Sequence, residues 1–154
     1  STGGMAEGLD VWAGYSKIEQ PDESAGSNHD GDRVQTALGA TYAVGAVTVG
    51  YQLTKDNQNT STISGTRYYD NEAYGISFAI NDDLTISYGN HKSTRAVQGS
   101  TADVELEAKS LQLSYTMGAA SVKIAETSAD NSQYSNTGST MDRDGTTVAL
   151  SLAF

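Results

Sequence analysis

The sequence predicts an all-β fold, a transmembrane antiparallel β-barrel segment of eight up-and-down strands, and three observations predict it. Apolar side chains alternate with small or polar ones at a period of two in eight separate stretches. Short and long connections between those stretches alternate along the chain. No stretch places apolar residues three and four apart over two helical turns. Residues 1–154 read as a single domain.

The strands follow in order. The first sets Leu9, Val11, Ala13 and Tyr15 against Asp10, Trp12, Gly14 and Ser16. The second sets Val34, Thr36, Leu38, Ala40, Tyr42 and Val44 against Arg33, Gln35, Ala37, Gly39, Thr41 and Ala43. The third opposes Val47, Val49, Tyr51 and Leu53 to Thr48, Gly50, Gln52 and Thr54. In the fourth, Tyr74, Ile76, Phe78 and Ile80 oppose Gly75, Ser77 and Ala79. In the fifth, Leu84, Ile86 and Tyr88 oppose Thr85, Ser87 and Gly89, with His91 continuing the second side. The sixth opposes Leu111, Leu113, Tyr115 and Met117 to Ser110, Gln112, Ser114 and Thr116. The seventh opposes Val122 and Ile124 to Ser121, Lys123 and Ala125, and Val148 to Phe154 forms the closing strand.

Three connections are tight, at Gly45-Ala46, Asn81-Asp82-Asp83 and Gly118-Ala119-Ala120, with the Gly and Asx chemistry of hairpins. The others are long and polar: Lys17 to Asp32, Lys55 to Asn71, Lys92 to Lys109, and Ser128 to Gly145. One end of the sheet is therefore expected to carry the turns and the other the loops, the asymmetry of transmembrane barrels with short periplasmic turns. That rule puts Ser1 and Phe154 at the turn end.

Hydrophobic content of 37% and a mean hydropathy of -0.44 would suit a water-soluble protein. No run approaches the ~20 consecutive apolar residues of a membrane helix. Neither fact bears against a barrel, whose strands show lipid only every second residue. Zero cysteines exclude disulfides and thiol chemistry, and two histidines leave little for zinc. A net charge of -10 supplies no basic patch for nucleic acid. The opening Ser-Thr-Gly-Gly reads as a processed or excised start.

Aromatics fall where interfacial girdles need them. Tyr42, Phe78, Tyr115 and Phe154 lie toward the turns, and Tyr15 and Tyr74 toward the loops. The competing reading, core tyrosines of a soluble sandwich, would bring more Phe, Leu and Trp and a less lopsided set of connections.

The second side of each strand is built mainly of Gly, Ala, Ser and Thr. A closed eight-stranded ring must fill its interior with side chains, so these small residues fit a wider, water-filled barrel of which this chain is half. The alternative is a complete eight-stranded barrel with a structural or adhesive role through its long loops. Asp10, Arg33, Gln52, His91, Gln112 and Lys123 are the expected pore-lining residues. Lys123, beside a tight turn, could equally snorkel to the rim.

No catalytic constellation emerges. A Ser/His/Asp set could be drawn around His91 or His29, but no strand or turn motif supports one, and solvated polar residues account for both. No enzyme activity and no cofactor are expected. Glu19, Asp22, Glu23, Asp30 and Asp32, with Asp130, Asp142 and Asp144 in the last connection, could hold Ca²⁺ or bridge lipopolysaccharide, yet the twelve-residue calcium spacing is absent and a solvated face is the simpler reading. These acids are expected to give the mouth a mild cation preference.

The stretches Thr41-Tyr-Ala-Val-Gly-Ala-Val-Thr-Val-Gly-Tyr-Gln-Leu, Ala73-Tyr-Gly-Ile-Ser-Phe-Ala-Ile-Asn-Asp-Asp-Leu-Thr-Ile-Ser-Tyr-Gly, Leu111-Gln-Leu-Ser-Tyr-Thr-Met-Gly-Ala-Ala and Thr147-Val-Ala-Leu-Ser-Leu-Ala-Phe resemble general diffusion porins of marine alphaproteobacteria. Each motif alone is weak; their order, the hairpin spacing and the terminal Phe carry the likeness, which spans nearly the whole chain but only the C-terminal half of such a porin. The resemblance implies a sixteen-stranded homotrimeric barrel in the Gram-negative outer membrane, passing small hydrophilic solutes and in contact with lipid and lipopolysaccharide. The family's constriction loop and much of its charged eyelet belong to the N-terminal half, so no eyelet residue transfers here.

Overall fold

The structure, a computed structural model, describes residues 7–20, 29–62, 64–100, 102–135 and 141–153. Eight strands run up and down in one antiparallel sheet: β1 (Leu9–Ile18), β2 (Arg33–Val44), β3 (Val47–Asn57), β4 (Thr66–Ala79), β5 (Leu84–Val97), β6 (Val104–Met117), β7 (Ala120–Asp130) and β8 (Arg143–Leu152). Each pairs only with its chain neighbours, so the sheet is not closed and β1 and β8 are both edges. The eight-stranded ring is not the arrangement found.

The turn end follows from local chemistry. Val44 pairs with Val47 and Met117 with Ala120, leaving two residues in each hairpin turn. Gly45 and Gly118 occupy the first of these at φ +57°, a left-handed conformation that glycine adopts without a Cβ clash. In the third turn the Asn81 side-chain carbonyl accepts from the backbone N–H of Asp83 and of Leu84, each at 2.9 Å.

The far end differs from the sequence reading. Two of the polar stretches expected as loops are largely strand, because β4 begins at Thr66, β5 runs to Val97 and β6 begins at Val104; the last is strand only at its ends, where β7 extends to Asp130 and β8 starts at Arg143. The connections there shrink to 58–65, 98–103 and 131–142, still longer than the turns. The physical reason is that cross-strand charge pairs replace apolar pairs in these extensions, so the ladder continues where the hydrophobic alternation stops. Lys55 lies 3.2 Å from Asp70 directly opposite it, and Lys92 lies 3.4 Å from Glu105. Asp70, Glu105 and Glu107, expected in the polar connections, therefore sit on strands. Residues 19–20 and 29–32 of the first connection lie outside the strands, and His29 bridges Thr60.

Register sorts the side chains onto two faces. Following direct partners from Tyr42 gives Val49, Ile76, Tyr88 and Leu111; following them from Thr41 gives Gly50, Gly75, Gly89 and Ser110. One face carries the large apolar residues and the other the small ones. Among the described residues nothing covers the apolar face: Val49 is 41% exposed, Ile86 37%, Leu113 39% and Leu150 66%. Among the described residues Ala96, at 1%, is the sole buried hydrophobic side chain. This is a single-layer sheet without a core, and burial of apolar surface cannot offset chain entropy until something else meets that face.

Candidate functional site: the small-residue face

Asp10, Arg33, Gln52, His91, Gln112 and Lys123 all point to the small-residue face by register. They do not converge. Gln52, Ala73 and His91 are direct partners in one row across β3, β4 and β5, a row that continues through Gly39 to Trp12 and through Ala108 and Ala129 to Arg143. Asp10, Gln52, His91 and Lys123 are exposed, whereas Arg33 and Gln112 are half-buried. Gln112 donates to Ser110 Oγ at 3.1 Å. Arg33 donates from Nε to Asp56 Oδ1 at 2.8 Å and from Nη2 to the second oxygen, a two-pronged ion pair.

Tyr15, Tyr42, Tyr74, Phe78 and Tyr115 are exposed on the opposite, apolar face. Tyr42, Phe78 and Tyr115 lie near the turn end and Tyr15 and Tyr74 farther up. Phe154 lies outside the described residues. Above the apolar band, on the same face, Lys17, Lys55, Lys92 and Lys109 pair with Asp32, Asp70, Glu105 and Glu107. In the connection, Asp32 Oδ2 sits 2.5 Å from Lys17 Nζ, and Oδ1 accepts the Gln20 backbone N–H at 3.2 Å. The Lys17 hydrogen bond first, and that backbone donor second, hold the Asp32 carboxyl below the usual aspartate range.

The densest side-chain cluster on the small-residue face was not among the sequence candidates. It forms where residues 131–135 turn in from the last connection. Asn131, Gln133 and Tyr134 all have left-handed φ, at 52°, 63° and 53°, around the short 3-10 turn Ser132–Tyr134. Non-glycine residues in that region cost about 1–2 kcal/mol each, so tertiary contacts must hold the turn. The Asn131 amide donates to the Glu105 carbonyl at 2.9 Å, and its backbone N–H donates to Asp142 Oδ1 at 3.1 Å. Tyr134 then lands on β4 and β5. Its ring meets Tyr69 at 5.4 Å between centroids, tilted 50°. Its hydroxyl lies 2.6 Å from Ser93 Oγ. The Ser93 hydroxyl donates to Asn71 Oδ1, so Tyr134 is the donor to Ser93. The Asn71 amide in turn donates to Thr54 at 3.0 Å. Arg95 Nη2 donates to the Tyr134 carbonyl at 3.4 Å, and its guanidinium carbon is 5.3 Å from the Tyr134 ring centre. Arg95 Nε is buried without a hydrogen-bond partner.

Two signals could have found part of this. Carrying the alternation past His91 places Ser93 and Arg95 on the same face. A lone tryptophan at 12 on the small side is also anomalous, and the structure explains it: the Trp12 ring lies over Gly39, where a Cβ would come within 2.3 Å of it. The Tyr134 contact has no sequence period to betray it. Among the described residues no group of three or more His, Asp or Glu side chains is arranged to hold a metal ion; Asp22 and Glu23, offered above as calcium donors, lie outside those residues.

No family model matches the chain, and no curated protein matches it.

Proposed function

We propose that the chain is part of the wall of an outer-membrane porin, a water-filled channel for passive diffusion of small hydrophilic solutes and ions. The observation that carries this reading is the coreless sheet: bulky apolar side chains stand exposed on one face while the other face is small and polar. Exposed apolar patches on soluble monomers are normally limited to a few hundred Å². Hydrocarbon is the environment that accepts a face this size, and a strand sheet satisfies its own backbone there.

The edges supply the second argument. β1 and β8, ten residues each, are paired on one side only and leave the backbone groups of their outer edges unpaired, and in lipid each unsatisfied group costs several kcal/mol. Further antiparallel strands therefore flank both edges, and the N-terminal half of a sixteen-stranded ring fits that need. The small side chains of the inner face suit a wide lumen of that kind. The apolar band faces outer-membrane lipid, the charged band above it reaches the lipopolysaccharide zone, and trimer assembly follows the family resemblance. Passive diffusion asks for no cofactor and no catalytic residue.

Reconstitution of the assembled channel into planar bilayers tests the reading. Stepwise ohmic conductance is expected. A monodisperse, detergent-free soluble protein that adds no conductance would overturn it.

A further inference from the structure

We infer that Arg95, held in place by the inward-turned Tyr134, gives this wall a preference for small anionic solutes of the carboxylate and phosphate class. The inference rests on the channel reading and names its specificity.

The net charge of -10 misleads about the inner face. Most strand carboxylates lie on the apolar-band side, where Asp70, Glu72, Glu105 and Glu107 share rows with Lys55, Lys92 and Lys109. Among strand residues that register places on the small-residue face, the cations are Arg33, Arg95, Lys123 and Arg143 and the carboxylates are Asp10 and Asp56; Arg67, in the β4 bulge, has no register partner. Arg33 is neutralised by Asp56. The groups around Arg95 are Tyr69 and Val104 directly across on β4 and β5's other neighbour β6, Asn71 and Ser93 one row down, and Tyr134 above, none of them charged.

Among the described residues no carboxylate lies beside Arg95, and guanidinium donors are left over. Tyr134 fixes that guanidinium through its carbonyl and its ring, and Tyr134 is itself fixed by Ser93 and Tyr69. A planar fork held this way matches the two oxygens of a carboxylate or phosphate. The expected sign opposes the cation preference that the loop acids would give. Within about half a Debye length in water, a unit charge changes local anion concentration roughly twofold.

The test is the reversal potential of the reconstituted channel in a salt gradient, with potassium chloride and then potassium phosphate. The parent is expected to favour anions. Arg95→Gln should lower the anion-to-cation permeability ratio roughly twofold. Arg95→Lys should keep the chloride ratio and lose part of the phosphate ratio, because it retains charge without the fork. Tyr134→Ala, which leaves every charge in place, should move the phosphate ratio toward that of Arg95→Gln. A conducting Arg95→Gln channel with the parent ratio in both salts overturns the inference, as does a Tyr134→Ala channel indistinguishable from the parent. A parent that does not conduct refutes the channel reading itself, and the two failures are thereby distinguished.

Discussion

Trp12 and Gly39 show how closely single residues on the small face depend on each other. The indole occupies the volume that any Cβ at 39 would need. Gly39→Ala must push the ring off the wall, at a cost of about 1–3 kcal/mol from overpacking. Because Trp12 is the only tryptophan, a red shift of its emission, together with lower urea resistance in lipid, checks this directly. Gly145→Ala, where the added Cβ would meet only Thr127 Oγ1 at 3.4 Å, should leave both unchanged. At the loop end, Asp32 makes a pH prediction. Its folded carboxyl titrates below the ordinary value, so the contact stabilises the fold above the unfolded pKa of about 3.9 and is lost as pH falls through the lower folded value. An NMR titration of the Asp32 carboxyl should show the depressed midpoint, and Lys17→Met should return it toward the ordinary one.

At the scale of the strand, parity decides what a substitution does. Val49→Arg or Leu113→Arg puts a charge on the apolar face and should destabilise the inserted protein by about 2–4 kcal/mol near midplane. Gln52→Lys, three residues along β3 from Val49 and on the other face, should fold normally and alter conductance alone. Urea unfolding in lipid vesicles compares them; equal tolerance on both faces would contradict the assigned facing. The same parity explains what the amino-acid order revealed and what it hid. Val47 to Leu53 and Leu111 to Met117 advertise themselves because alternate residues are apolar. Thr66 to Ala73 extends β4 and Lys92 to Val97 extends β5, with Asp70, Glu72 and Lys92 among the alternate places. Their alternation is one of charge against small or polar groups, which a hydrophobic period does not register. The turns were legible because Gly45, Gly118 and Asn81 act through their own backbone chemistry. The cluster of Arg95, Ser93 and Tyr134 was not, since it joins β5 to a segment some forty residues later through contacts of the Ser93 and Arg95 side chains, with no strand pairing.

For the molecule as a whole, the open sheet defines both the solvent and the partners. On the proposed reading, lipid meets the apolar face of this layer and further strands meet its two unpaired edges. The central claim is that hydrocarbon touches the bulky face and water the small one. Because the chain has no native cysteine, single cysteines can carry nitroxide labels at Val49, Ile86, Leu113 and Leu150 on one face and at Gln52, Ser87, Gln112 and Ala149 on the other. In reconstituted vesicles, electron paramagnetic resonance should find the first four relaxed by dissolved oxygen and the second four by a water-soluble nickel chelate. If the first four were shielded from both, or reached by nickel as readily as the second, the bulky face would not lie in lipid and the account would be wrong.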